Sequence, residues 1–292
     1  MTILNRLATD RVLVSDGATG TYLQANGLEP GGCPEELNSS HPEIIRKMAA
    51  EYFESGCDMV LTNSFGGSKF MLKKYGHGDK VRTFNRLAAE HACSAAPPGR
   101  FVVGSVGPTG EFIAPLGEVS ECEMMDAFSE QVIGLEEGGA DAVVIETMTA
   151  LEEATLAIKA VKENTNLPVI ATMTFDKGPR GFFTMMGVTP RQAAIELEGA
   201  GADVVGSNCG NGIDVMLDVA REMRDAAEGY VLIHSNAGMP VIRKGQIVYP
   251  ESPEYMASRF SAMVEMGINI VGGCCGTTPA HIESLSRLVD RG

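Results

Sequence analysis

At 292 residues, with 44% hydrophobic residues and a formal charge of −15, the chain has the size and core material of one large globular domain. No apolar run reaches the roughly 18–20 residues that cross a bilayer, and the opening MTILNRLATDR lacks an apolar signal core, so neither a membrane span nor export is expected. The acidic field disfavours nucleic acid and anionic membranes as partners, and seven scattered cysteines, an odd number, do not read as a disulfide framework, so a reducing, cytoplasmic setting is expected.

Eight short runs rich in β-branched residues recur along the chain, at 11–15 (RVLVS), 58–62 (DMVLT), 101–105 (FVVGS), 142–145 (AVVI), 168–173 (PVIATM), 203–207 (DVVGS), 230–234 (YVLIH) and 268–272 (INIVG). They are continuously apolar rather than alternating, as parallel strands buried on both faces require. Helix-period segments lie between them. In the stretch 40–56, Ile44, Ile45, Met48, Tyr52 and Phe53 form one stripe and Gly56 ends it. Thr189-Pro190, Ser252-Pro253 and Thr278-Pro279 each read as a hydroxyl cap followed by a proline at the first helical position. Strand and helix alternate eight times in one domain, 1–292, which predicts a (β/α)₈ TIM barrel. The alternative is an open doubly wound sheet, but no glycine-rich dinucleotide turn follows strand one.

In such barrels function gathers at the C-terminal strand ends. Those ends carry Asp16-Gly17-Ala18-Thr19, Thr62-Asn63-Ser64, Ser105, Glu146-Thr147, Asn208-Cys209, Ser235-Asn236 and Cys274-Cys275. Cys209 follows strand six and the cysteine pair follows strand eight, with only strand seven between them, so three sulfurs can meet on one rim. Three thiolates suit zinc, and a fourth position left open is the catalytic pattern. Neighbouring cysteines ordinarily point to opposite sides of a strand, a constraint the flanking glycines relax. The plainer alternative is a cysteine pair filling a tight corner, with Cys209 unrelated. If the triad holds metal, the chemistry suggested is alkylation of a substrate thiol.

The motifs DGATGT (16–21), TNSF (62–65), ET (146–147), NCG (208–210) and GGCCGTTPAHI (272–282) resemble the homocysteine S-methyltransferase family over essentially the whole chain. SNAGMP (235–240) and CCGTTP (274–279) are more similar to the homocysteine-binding module of cobalamin-dependent methionine synthases than to the betaine or S-methylmethionine branches. The resemblance implies a barrel with one Zn²⁺ per chain, held by Cys209, Cys274 and Cys275, that binds homocysteine through sulfur and yields methionine. Glu146 then holds the substrate ammonium or pairs with a local lysine or arginine, with Asp16 either a second acidic partner or a turn residue. The N–H groups of Gly17, Ala18 and Thr19 face the carboxylate. Thr62, Ser64 and Ser105 are hydroxyl donors or structural. Asn236 supplies an oxygen to the fourth zinc position or makes a local turn, and Asn208 orients substrate or ligand. His234 reads as a satisfied core histidine, Met185 and Met186 as core filler, and residues 17–40 as a lid or a loop wandering over the rim.

The acceptor is accounted for, the donor less so. No Asp-x-His-x-x-Gly cobalamin motif occurs, and folate and cobalamin modules are not among these residues. The expected donor is methylcobalamin, a methyl-corrinoid on a separate protein or domain, or the barrel is part of a longer chain. A self-sufficient enzyme using a sulfonium or betaine donor is the alternative, as are a different thiol acceptor and a zinc-binding scaffold without transfer activity.

Overall fold

The computed structural model describes residues 1–9, 12–243 and 245–289, so Arg11, the first residue of the first expected strand, lies outside the described residues. The eight apolar runs become strands β1 (Leu13–Val14), β2 (Met59–Leu61), β3 (Phe101–Val106), β4 (Ala142–Met148), β5 (Val169–Met173), β6 (Val204–Gly212), β7 (Tyr230–Asn236) and β8 (Ile270–Gly273). They pair in the order β1-β8-β7-β6-β5-β4-β3-β2. The two edges meet at a parallel bridge between Ser15 and Met59, reinforced by the Asp58 N–H donating to the Val14 carbonyl at 2.7 Å. The result is the expected (β/α)₈ barrel.

A helix follows each strand: α1 (Pro42–Glu54), α2 (Val81–Ala95), α3 (Glu121–Glu137), α4 (Leu151–Asn164), α5 (Pro190–Gly199), α6 (Ile213–Arg224), α7 (Pro253–Glu265) and α8 (Pro279–Val289). Two of the three expected hydroxyl caps form, while at the third the Thr278 hydroxyl meets His281 Nδ1 at 2.9 Å. Thr189 and Ser252 accept the N–H groups of Gln192 and Tyr255 at 3.2 and 3.3 Å, each directly before its proline. Gly56, at φ 93°, ends α1 where a side chain would be strained.

The continuous apolar character of the strands has a simple cause. One parity, including Leu13, Met59, Phe101, Val103, Val144, Ile170, Leu232 and Ile270, fills the barrel interior, and Ile3 and Leu7 of the short helix Ile3–Leu7 join that cluster. The other parity, including Val14, Val60, Val102, Val143, Val205 and Val231, packs under the helices with Ile45, Met48 and Phe53 of α1. Each large side chain buried this way contributes about 1.5–3 kcal/mol.

Two hairpins stand outside the barrel pattern, Asp176–Gly178 with Gly181–Phe183 and Val241–Arg243 with Gln246–Val248. The first leads into a turn closed by Thr184 and Val188, which lifts Met185 off the barrel and leaves it 68% exposed. Met185 and Met186 are therefore surface residues, not the core filler expected of them. Among the described residues, no helix is long and apolar enough to cross a membrane.

Candidate active site

Followed upward, the inward-facing parity turns from apolar to polar. Val103 is followed by Ser105, Val144 by Glu146, Ile170 by Thr172, Gly206 by Asn208, Leu232 by His234, and Ile270 by Gly272 and Cys274. Above this polar layer lies a cavity of about 290 Å³, lined among others by Thr19, Glu35, Glu146, Cys209, Cys274 and Cys275.

Thr147 and Cys209 are the non-glycine residues at positive φ among the described residues, both at 62°. Each sits in a break of strand register, between Ile145 and Met148 and between Asn208 and Gly212. Left-handed backbone costs an ordinary residue about 1–2 kcal/mol, and more for a β-branched one. The break after Asn208 lets both Asn208 and Cys209 act at the site, although successive strand residues normally point apart. Cys209 Sγ lies 3.9 Å from Cys275 Sγ, and all three sulfurs fall within 4.8 Å of one another. A tetrahedral zinc with Zn–S bonds of about 2.3 Å needs sulfurs about 3.8 Å apart.

The cysteine pair reaches one point because the chain leaves β8 at Gly273 and turns. The Cys274 N–H donates to the Ser235 carbonyl at 2.7 Å, and the Ala237 N–H donates to the Cys275 carbonyl at 3.0 Å. Hydrogen bonds from Cys274, then Cys275, hold the Cys209 thiol far below its ordinary pKa, and the same bonding raises that of Cys274. At the end of β7, the strand between those that carry the cysteines, Asn236 Oδ1 is buried without a hydrogen-bond partner. Three soft sulfurs and an unpaired amide oxygen suit zinc with one replaceable position.

The acidic side of the cavity is Glu146. Its carboxylate accepts the Ser105 hydroxyl and, at 3.3 Å, Asn208 Nδ2. Burial raises its pKa to about 7, and burial raises that of Asp16 to about 7 as well. Among the described residues lining the cavity there is no lysine or arginine, so this carboxylate faces space suited to a cationic group. Asp16 lies behind the wall, accepting the Leu61 N–H at 2.7 Å and the Ser15 hydroxyl at 3.2 Å.

Of the two roles left open for Thr62, Ser64 and Ser105, their contacts are those of structural residues. The Ser64 hydroxyl donates to the Ser105 carbonyl at 2.7 Å, so in its 2.6 Å contact with Thr62 it accepts, and the Thr62 proton is spent there. The Ser105 proton goes to Glu146. None of these hydroxyls has a proton left for substrate; they brace one another and the carboxylate. The Ala18 N–H is also committed, to Thr277 Oγ1 at 3.1 Å. The first turn of the helix Thr19–Ala25 borders the same cavity, lined by Thr19, Gly20 and Thr21, and first-turn N–H groups lack partners within a helix.

The sequence profile described as homocysteine S-methyltransferase matches residues 13–289. The chain belongs to the homocysteine S-methyltransferase family. It is 33% identical over 301 residues to the methionine synthase of Mycobacterium tuberculosis and 33% identical over 309 residues to that of Mycobacterium leprae. These alignments cover 96% and 99% of this chain but 25% of each relative, so the chain spans about a quarter of their length. The metallated form of the homocysteine methyltransferase MmuM from Escherichia coli has the same fold, with a TM-score of 0.79 at 20% identity, covering 94% of this chain and 96% of that one.

Within this homocysteine S-methyltransferase barrel, several site residues had no role in the sequence reading. Thr172 donates to Asn208 Oδ1 at 2.7 Å, and alternation along PVIATM points it inward. Glu35 enters the cavity wall from the long loop after β1, where it accepts the Gly66 N–H at 2.7 Å, and Asn63 Nδ2 holds the adjacent Pro34 carbonyl at 2.7 Å. That part of the loop lines the cavity through Pro34 and Glu35. His234 is buried as expected, but its Nε2 has no partner, so it is not a satisfied core histidine.

Proposed function

We propose that the barrel is the homocysteine-activating unit of a methyl-transfer system. Cys209, Cys274 and Cys275 hold one zinc ion, and homocysteine enters with its sulfur at the triad and its ammonium at Glu146. The observation that carries this reading is the meeting of three sulfurs within 4.8 Å in the same cavity wall as a buried carboxylate. Bound zinc would supply a soft Lewis acid that favours the thiolate of a substrate thiol, which at an ordinary pKa near 8.5 is only a few per cent ionised at neutral pH.

The chain's own residues do the positioning. Asn236 offers its unpaired oxygen at the triad until sulfur takes that place. Glu146, held by Ser105 and Asn208, fixes the ammonium, and the first-turn N–H groups of the helix Thr19–Ala25 receive the carboxylate. The sulfur then attacks the methyl carbon; the new S–C bond forms as the bond to the donor breaks, and the donor keeps the electron pair. The donor is a methyl-corrinoid carried on another domain or protein, in keeping with a chain that spans a quarter of methionine synthases. A reducing compartment such as the cytoplasm keeps the three thiols free.

The test is methionine formation by zinc-loaded protein from L-homocysteine with free methylcobalamin, and with S-methylmethionine, S-adenosylmethionine and betaine in parallel. Turnover with methylcobalamin above the protein-free rate is expected. Turnover with a sulfonium or betaine alone would replace the donor, and silence with every donor would overturn the transfer function.

A further inference from the structure

Thr277 follows the cysteine pair by two residues and is 2% exposed. Its hydroxyl has two partners on two different sides of the site. It accepts the Ala18 N–H at 3.1 Å and donates to the Cys274 carbonyl at 2.7 Å. Ala18 lies 259 residues earlier, in the loop that opens the helix Thr19–Ala25. The other end of Ala18 is held as well, because the Tyr52 hydroxyl donates to its carbonyl at 2.9 Å. The backbone makes room for this clamp. A Cβ on Gly17 would stand 2.7 Å from Thr277 Oγ1 and 2.9 Å from Tyr52, and one on Gly273 would stand 2.2 Å from Thr277 Oγ1. Contacts that short do not occur, so glycine at 17 and 273 is the condition for the hydroxyl to sit where it does.

We infer that Thr277 is a positioning residue that couples the two ends of the site, one hydroxyl tying the loop that receives the amino-acid end of the substrate to the corner that carries the sulfur-binding cysteines. The inference rests on the reading of the site given under Proposed function. A flexible substrate held at both ends depends on the protein to fix the spacing, and a misplacement of about 1 Å costs on the order of 100-fold in rate. Thr277 acts on Cys274 through its carbonyl and on substrate through Ala18, and touches neither the metal position nor the substrate itself.

The experiment measures two affinities on each variant, homocysteine by calorimetry on zinc-loaded protein and zinc by competition with a chromogenic chelator. Thr277→Val keeps the shape and removes the hydroxyl; it should weaken homocysteine at least tenfold and zinc several-fold. Thr277→Ser should return both to within about threefold of wild type. Tyr52→Phe releases only the loop end and should weaken homocysteine while leaving zinc unchanged. A lowered melting temperature with both affinities intact in Thr277→Val would mean a structural role alone and overturn the inference. Should Thr277→Val not fold, Tyr52→Phe decides, since an unchanged homocysteine affinity there overturns the clamp. A wild type that binds neither zinc nor homocysteine would instead overturn the reading of the site, and the clamp with it.

Discussion

Asn208 and Thr147 hold each other by two hydrogen bonds. The Thr147 N–H donates to Asn208 Oδ1 at 2.8 Å, and Asn208 Nδ2 donates to Thr147 Oγ1 at 2.7 Å. Thr172 adds a second donor to the same oxygen at 2.7 Å, so the amide has only one workable orientation. Its nitrogen therefore also faces Glu146, at 3.3 Å, and the Cys274 sulfur, at 4.0 Å. One side chain orients the acidic end of the site and borders its sulfur end.

Replacing that amide with an acid removes the donors and sets a like charge beside Glu146. Asn208→Asp is expected to lower kcat/KM for homocysteine by about 100-fold, in line with a buried hydrogen bond lost to a charged partner. Steady-state kinetics of methionine formation checks this; activity within twofold of wild type would remove Asn208 from the site.

Thr147 occupies left-handed backbone at φ 62°, which glycine adopts without strain. Thr147→Gly relieves about 1–2 kcal/mol of that strain but frees the Asn208 amide. The melting temperature should hold or rise while homocysteine affinity falls about tenfold. Thermal denaturation and calorimetry on the same preparation decide it.

Glu146 gives the protein a pH signature. Burial raises its pKa from 4.5 to about 7, and that of Asp16 from 3.8 to about 7. Between those limits the folded protein binds protons that the unfolded chain has released. Their contribution to stability is therefore complete below the ordinary carboxylate range and declines as pH rises toward 7. Without substrate, the melting temperature should fall from pH 5 to pH 8. Glu146→Gln should flatten that fall by up to roughly 3 kcal/mol, melt higher than wild type at pH 8, and lose homocysteine binding. A steeper decline in the variant would contradict the assignment.

Gly276, next to Cys275, sits at φ 80° with the Tyr249 side chain against it; a Cβ there would lie 2.0 Å from Tyr249 Cγ. Gly276→Ala combines backbone strain with overpacking and is expected to cost more than about 2 kcal/mol, or to displace the cysteine corner and weaken zinc. Denaturant unfolding together with chelator competition detects either result; a variant unchanged in both would show that the corner has slack.

Much of this was legible in the chain because it depends on local periodicity. Continuous apolar runs marked the strands, Thr-Pro and Ser-Pro marked helix starts, and chain order placed Cys209, Cys274 and Cys275 on one rim. The hairpins Asp176–Gly178 with Gly181–Phe183 and Val241–Arg243 with Gln246–Val248 escaped because three-residue strands leave no period to read. The proton economy of Thr62, Ser64 and Ser105 escaped for another reason. A hydroxyl at a strand end looks available until its partner, 41 residues away in the case of Ser105 and Glu146, is known. Thr277 and Glu35 belong to the same class, since their roles are set by contacts across the rim rather than by neighbours in sequence.

The most direct test of the central claim is zinc X-ray absorption on the reduced protein, before and after L-homocysteine. The account predicts three sulfurs at about 2.3 Å with one lighter ligand, converting to four sulfurs when homocysteine is added. A zinc shell that does not respond to homocysteine, or one that survives Cys209→Ser with three sulfurs intact, would contradict it.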